Sequence, residues 1–150
     1  MEDLERSLKG HPFLRDFLPD QVKFVVSCAT NVRYAAGDYL QREGDDEHAL
    51  FLVRHGVVTI ESHEAGRSVV FETLGPGDVL GVSWLTRARD KAHADCRVRE
   101  STLCFRLDGD CLKAKMDSDP ALGYAITTRL LERTYARLAR ARLQHLDVYR

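Results

Sequence analysis

Glycine-bearing turns recur through the middle of this chain so closely that only short extended segments fit between them. Ala36-Gly37-Asp38, Glu43-Gly44-Asp45, His55-Gly56, Ala65-Gly66-Arg67 and Leu74-Gly75-Pro76-Gly77-Asp78 each separate apolar runs or alternating stretches. Tight turns of this kind favour glycine, proline, asparagine and aspartate, and many short strands joined by them are the pattern of a sandwich or rolled sheet. Ala49-Leu-Phe-Leu-Val53 is a continuous apolar run and reads as a buried strand, with Val57 to Glu61 as its returning partner across His55-Gly56, a hairpin. Ser68 to Glu72, Ala94 to Arg99 and Thr102 to Leu107 supply further strands; in the second of these Ala94, Cys96 and Val98 share one face.

The two ends read differently. His11-Pro-Phe-Leu to Leu18-Pro19 predicts a short helical turn, and Pro19 opens a second small helix carrying Val22, Val25, Val26 and Ala29. Asp108-Gly-Asp110 starts another short helix, and Ser118-Asp-Pro120 starts a long one running towards Tyr149. Its stripe of Leu122, Ile126, Leu130, Leu131, Tyr135, Leu138, Leu143 and Leu146 is longer than a domain of 150 residues needs to cover its own core, so part of it is expected to meet a partner. The expected architecture is mainly β, a jelly-roll-like β-roll with short N-terminal helices and a long C-terminal helix. We read one domain over residues 1–150, divided as 1–30, 31–107 and 108–150.

Charge and cysteine usage narrow the function. Lys and Arg number 22 against 23 Asp and Glu, which leaves no net field to attract nucleic acid or an anionic membrane; the Arg-rich helical face, Arg129 to Arg142, is expected to be solvated or paired across a dimer. No helix-turn-helix is expected after the long helix, and no apolar run is long enough for a membrane span. The charged Met1 to Leu8 lacks a signal-peptide pattern, so a cytoplasmic protein is expected. Cys28, Cys96, Cys104 and Cys111 show no Cys-x-x-Cys spacing and are expected to be buried, reduced thiols. The scattered histidines give no metal motif, no nucleophile is placed by motif, and the acidic run Glu43 to Glu47 reads as a solvated turn.

The stretch from Leu74 to Asp95 concentrates the turn residues, and a loop so specific points to a binding role. Together with His11-Pro-Phe-Leu, Ala36-Gly-Asp-Tyr-Leu40, Arg42-Glu-Gly-Asp45, Phe51 to Gly56 and the long helix, it resembles the cyclic-nucleotide-binding domain of the catabolite activator protein superfamily over roughly residues 10 to 148. The resemblance implies a regulatory, non-catalytic module. Its phosphate-binding cassette reads Phe-Gly-Glu, a short helix, then Pro-Arg-Ala-Ala-Thr. Leu80-Gly81-Val82 stands in the first part, so the glycine is kept and the ribose-binding carboxylate is replaced. At the arginine position a forward count gives Lys91 and a backward count Ala92; the backward count puts Asp95 at the threonine position, an anion that opposes phosphate unless it is paired.

The ligand-site residues implied by this resemblance are Leu80, Gly81, Val82, Ser83, Trp84, Lys91, Ala92, His93, Ala94 and Asp95, with Tyr135, Arg137 and Leu138 of the long helix at the pocket mouth. Trp84 carries two readings, a ring stacked on a ligand or a packing residue filling the vacated pocket. His93 and Asp95 form either a polar pair lining the site or a strand edge facing solvent, the latter preferred from the alternation. The implied ligand is a small anion, a cyclic nucleotide foremost. The implied partners are a twin chain along the C-terminal helix and a further protein that the sequence does not identify. The alternative is a domain that no longer binds and serves as a dimerisation or interaction scaffold.

Overall fold

The computed structural model describes residues 2–86 and 94–148. Helices α1 (Glu2–Lys9) and α2 (Pro19–Val26) flank a 3-10 turn at Pro12–Leu14. Eight strands follow: β1 (Ala29–Tyr34), β2 (Tyr39–Gln41), β3 (Ala49–His55), β4 (Val58–Glu64), β5 (Arg67–Leu74), β6 (Val79–Leu80), β7 (Asp95–Val98) and β8 (Thr102–Asp108). Helices α3 (Gly109–Ser118) and α4 (Pro120–Val148) close the chain. The strands form two antiparallel sheets, β1-β8-β3-β6 and β2-β7-β4-β5, which face each other as the expected β-roll. No helix among the described residues is long and apolar enough to cross a membrane.

β3 is apolar without alternation because both of its faces are covered. Leu50 and Leu52 join a cluster with Phe13, Val22, Val25, Phe105, Leu112, Leu122 and Ile126, where the helices pack on the first sheet. Phe51 and Val53 point the other way, into the roll, against Leu40, Val58, Leu74, Leu80, Cys96, Val98 and Cys104. α4 starts where expected: Asp119 Oδ1 accepts from the backbone N–H of Leu122 at 3.2 Å, ahead of Pro120 at the first helical position.

Three expectations change. β3 and β4 are not a hairpin: β3 pairs with β6 and β8, whereas β4 pairs with β5 and β7 in the opposite sheet. Apolar pattern marks a strand but not its partner, and the His55-Gly56 turn carries the chain from one sheet to the other; the true hairpin is β4–β5, closed by Ala65-Gly66. A first helix, α1, precedes the two expected elements; Leu4 and Leu8, four apart on one face, pack it against the core, a pattern over only eight residues that the sequence reading passed over. Finally, Cys28 and Cys111 are not both free thiols but pair as a disulfide across 83 positions, with Cα atoms 5.7 Å apart. Cys28 ends the run after α2 and Cys111 sits in the first turn of α3, so the pairing is made by the fold and leaves no trace in linear spacing. Cys96 and Cys104 are the expected buried thiols.

His11 shows how the N-terminal turn is held. Its Nδ1 accepts from the Phe13 backbone N–H at 3.1 Å, so the neutral ring carries its proton on Nε2 and donates it to the Val53 carbonyl at 2.9 Å. Burial pushes the His11 pKa below its ordinary value, with Arg133 and Arg54 adding to the shift and the Val53 carbonyl opposing it. Between the lowered folded value and about 6.5 in the unfolded chain, the unfolded state binds more protons. Stability from this residue is therefore complete above pH ~6.5 and is lost as pH falls towards the folded value, at up to about 1.4 kcal/mol per pH unit. Urea unfolding between pH 7.5 and 5 should show a steeper loss in the parent than in His11→Gln; parallel profiles would refute the assignment.

Candidate functional site

The site is assembled where β6 ends. Leu80 is buried inside the roll, and Gly81 then turns the chain at φ +92°, with its α-carbon pressed against the Ala49 carbonyl, an approach open only to a residue without a side chain. A 3-10 turn over Ser83–Leu85 follows, closed by the Thr86 backbone N–H and hydroxyl donating to the Ser83 carbonyl at 3.1 and 2.9 Å. Val82, at the position where the resemblance places a carboxylate, packs with Trp84 and Leu85 against the helix-side cluster. Trp84 Nε1 donates to the Ala49 carbonyl at 3.2 Å and its ring stacks on His48 with centroids 6.2 Å apart. The Trp84 ring thus packs on the helix side and does not fill the roll interior.

Lys91, Ala92 and His93 lie outside the described residues. Ala94, where description resumes, accepts from Gln41 Nε2 through its carbonyl at 3.2 Å. Asp95 lies, as the alternation implies, on the face of β7 opposite Cys96, yet it is only 5% exposed. One oxygen accepts from the Glu43 backbone N–H at 2.8 Å and the other meets His63 Nε2 at 2.9 Å. The anion expected to oppose a phosphate is thus already paired by β4 and by the turn after β2. Directly across the register, Glu61 is fully buried and accepts from Thr59 Oγ1 at 2.9 Å, Ser68 Oγ at 3.1 Å and the Arg99 guanidinium. Both carboxylates are partnered, as burial of a charge requires.

From α4 only one of the three expected residues reaches the roll. Arg137 donates through Nε and Nη2 to Glu72 Oε2 at 3.1 and 2.5 Å, and through Nη1 to the Val79 carbonyl at 2.9 Å. Arg140 meets Asp78 at 3.2 Å, and a small cleft of about 50 Å³ lies between these pairs. Tyr135 and Leu138, expected with it at the pocket mouth, are 66% and 46% exposed. A helix turns about 100° per residue, so Arg137 and Leu138 lie on different faces of α4.

Glu72 and Asp78 were missed by the sequence reading. A signal for Glu72 existed: it is in phase with Leu74, whose partner Val58 points into the roll, so a carboxylate at an inward position of β5 calls for a cation. Among the described residues, the two free thiols are not poised for covalent chemistry. Burial raises the thiols of Cys96 and Cys104 to about 12, so neither is ionised at neutral pH, and no group of three His, Cys, Asp or Glu among the described residues is placed to hold a metal.

With this geometry in view, comparison with known proteins gives a consistent result. The Cyclic AMP receptor protein of Thermus thermophilus is 28% identical over 104 residues, which make up 67% of this chain and 48% of that protein. This chain therefore spans about half the length of that relative. The crystal structure of a cyclic nucleotide-binding domain from Methylobacillus flagellatus superposes with a TM-score of 0.80 over 97% of this chain and 82% of the other, at 21% identity. The regulatory domain of Toxoplasma gondii PKA, solved with cAMP, gives a TM-score of 0.64 at 25% identity, over 75% of this chain and 43% of that one. The family model described as the cyclic nucleotide-binding domain matches residues 31–119. That match takes in β2 to β8 and all of α3, well over half of the sequence, and on this ground the chain belongs to the cyclic nucleotide-binding domain family.

Proposed function

We propose that this chain is a ligand-sensing regulatory module that takes a small anionic ligand, a cyclic nucleotide foremost, at the turn after β6, and reports its presence through α4. The observation that carries the reading is Arg137, which ties α4 to Glu72 of β5 and to the Val79 carbonyl one residue before Leu80-Gly81. A ligand that draws on the Arg137 guanidinium, or that shifts β6, changes the seat of α4; it signals by its difference in affinity between the two seats. The Arg137 guanidinium suits a phosphate, and the loss of the carboxylate at Val82 argues for a ligand gripped less by its ribose than in the family pattern. α4 also presents Tyr124, Leu131 and Leu138 at seven-residue spacing, all exposed, and we take this stripe as the seam of a homodimer. A second reading, a scaffold that binds nothing, draws on Val82 and Trp84, both committed to packing.

Trp84 is the only tryptophan and adjoins the proposed site, so its emission is a built-in reporter. Titration of the full chain with cAMP, cGMP and cyclic dinucleotides, read by Trp84 emission and by calorimetry, should give saturable binding by at least one of them. Arg137→Met should weaken that ligand by roughly tenfold or more, the value of one lost charge-assisted contact. Silence in both readouts across the panel favours the scaffold.

A further inference from the structure

A second cleft, of about 330 Å³, opens where three turns converge: the exit of α1 at Gly10 to Pro12, the β3–β4 turn at His55, and the β5–β6 turn at Pro76-Gly77. It lies at the entry to β6, whereas Gly81 marks the exit. Its lining includes four basic side chains, Arg6, His11, Arg54 and His55, and no acid. They are not equivalent. His11 uses both ring nitrogens on backbone groups and serves as wall. Arg54 donates to Asn31 Oδ1 at 3.0 Å and lies 4.5 Å over the Phe105 ring, which fixes it while leaving other N–H groups of its fork unused.

Arg6 and His55 are exposed, and neither side chain makes a hydrogen bond or ion pair with the described residues. The nearby carboxylates are placed elsewhere. Asp78 is held by Arg140 and the Gly75 backbone N–H, and Asp3 and Glu5 line a separate cleft with Arg6 and Lys9. The remaining walls are chiefly the rings of Pro12 and Pro76. A concavity of this size with mostly apolar walls and a few convergent groups of one sign is the form of a small-molecule site.

We infer that this cleft is a binding site for a small organic anion, a phosphate or carboxylate head carried on a flat apolar body, separate from the site after β6. The head meets Arg6, His55 and the free edge of Arg54; the body lies against Pro12 and Pro76. Inorganic phosphate alone satisfies the head and leaves the apolar walls in water, so it binds more weakly than an aryl phosphate.

The test is amide chemical-shift mapping of the full ¹⁵N-labelled chain at constant ionic strength, with phenyl phosphate, benzoate and inorganic phosphate as probes. Saturable shifts are expected with phenyl phosphate or benzoate at Gly10, His55, Gly56 and Gly77, with inorganic phosphate weaker by roughly tenfold. The double variant Arg6→Gln/His55→Gln, altered only at exposed side chains, should keep the parent's melting temperature and lose at least tenfold in affinity. Shifts that do not saturate, equal affinity for inorganic phosphate, unchanged binding in the double variant, or shifts confined to Leu80 to Leu85 would each overturn the inference. The last outcome would leave the site after β6 intact as the anion's true position.

Discussion

Gly81→Ala is expected to cost the fold about 3 kcal/mol or more, through two terms that act together. The left-handed backbone at φ +92° costs a side-chain-bearing residue about 1–2 kcal/mol. The new methyl would also overlap the Ala49 carbonyl oxygen, a backbone atom of the buried strand β3 that cannot swing aside, and overpacking of this kind costs a further 1–3 kcal/mol or so. For a chain of 150 residues the sum corresponds to a fall in Tm of roughly 6–12 °C. Gly44→Ala is the control: its φ is +88° but nothing lies within 4 Å, so only the backbone term of about 1–2 kcal/mol applies. Urea unfolding of both variants separates the terms. Equal losses would mean that β3 yields at Ala49 and that the turn after β6 is not pinned to it. A larger loss in Gly81→Ala means that the cassette turn is part of the core's packing, so any ligand seated there acts on β3 and β6 as well as on the loop.

The contrast between these two glycines shows what the sequence could and could not carry. Turn positions, strand segments and the start of α4 were legible because each depends on local chemistry: backbone conformations that favour glycine, alternation against one covered face, and an aspartate ahead of a proline. What failed depends on which distant segments meet. β3 and β4 were joined as a hairpin because both are apolar and a short turn lies between them, yet they belong to opposite sheets. The Cys28–Cys111 bond spans 83 positions, and Asp95 finds its partners at Glu43 and His63, so no reading of a local window brings these groups together. Trp84 was undecided for the same reason, since its partner carbonyl is Ala49. At the site itself, the kept glycine and the replaced carboxylate at Val82 were visible in the sequence, whereas the Arg137–Glu72 pair became visible only once β5 was seen to turn Glu72 inward.

Leu131→Asp/Leu138→Asp is expected to convert the chain from dimer to monomer. α4 is 29 residues long, about 43 Å, and its two faces divide cleanly. Leu122, Ile126 and Leu130 are buried against the body of the domain and Arg129 binds the carbonyls of Pro12, Phe13 and Arg15, which fixes that face. Tyr124, Leu131 and Leu138 lie on the other face at exposures of 76%, 68% and 46%, with Tyr135 beside them. Apolar residues seven apart on a free helix face suit a parallel or antiparallel twin with the same spacing. In a two-fold pair each leucine counts twice, so four side chains leave water; at about 1.5–3 kcal/mol each their loss exceeds 5 kcal/mol, before the cost of burying four aspartates is added. The dissociation constant should therefore rise by a factor of about 10⁴ or more. Sedimentation velocity at tens of micromolar reads this directly, with the parent running as a dimer and the double variant as a monomer. Because neither leucine belongs to the chain's own core, the monomer should keep its far-ultraviolet circular dichroism and most of its thermal stability. A parent that sediments as a monomer at this concentration, or a double variant that stays dimeric, would remove α4 as the seam. It would leave the Arg137–Glu72 and Arg140–Asp78 pairs as ties through which the roll could still act on the helix.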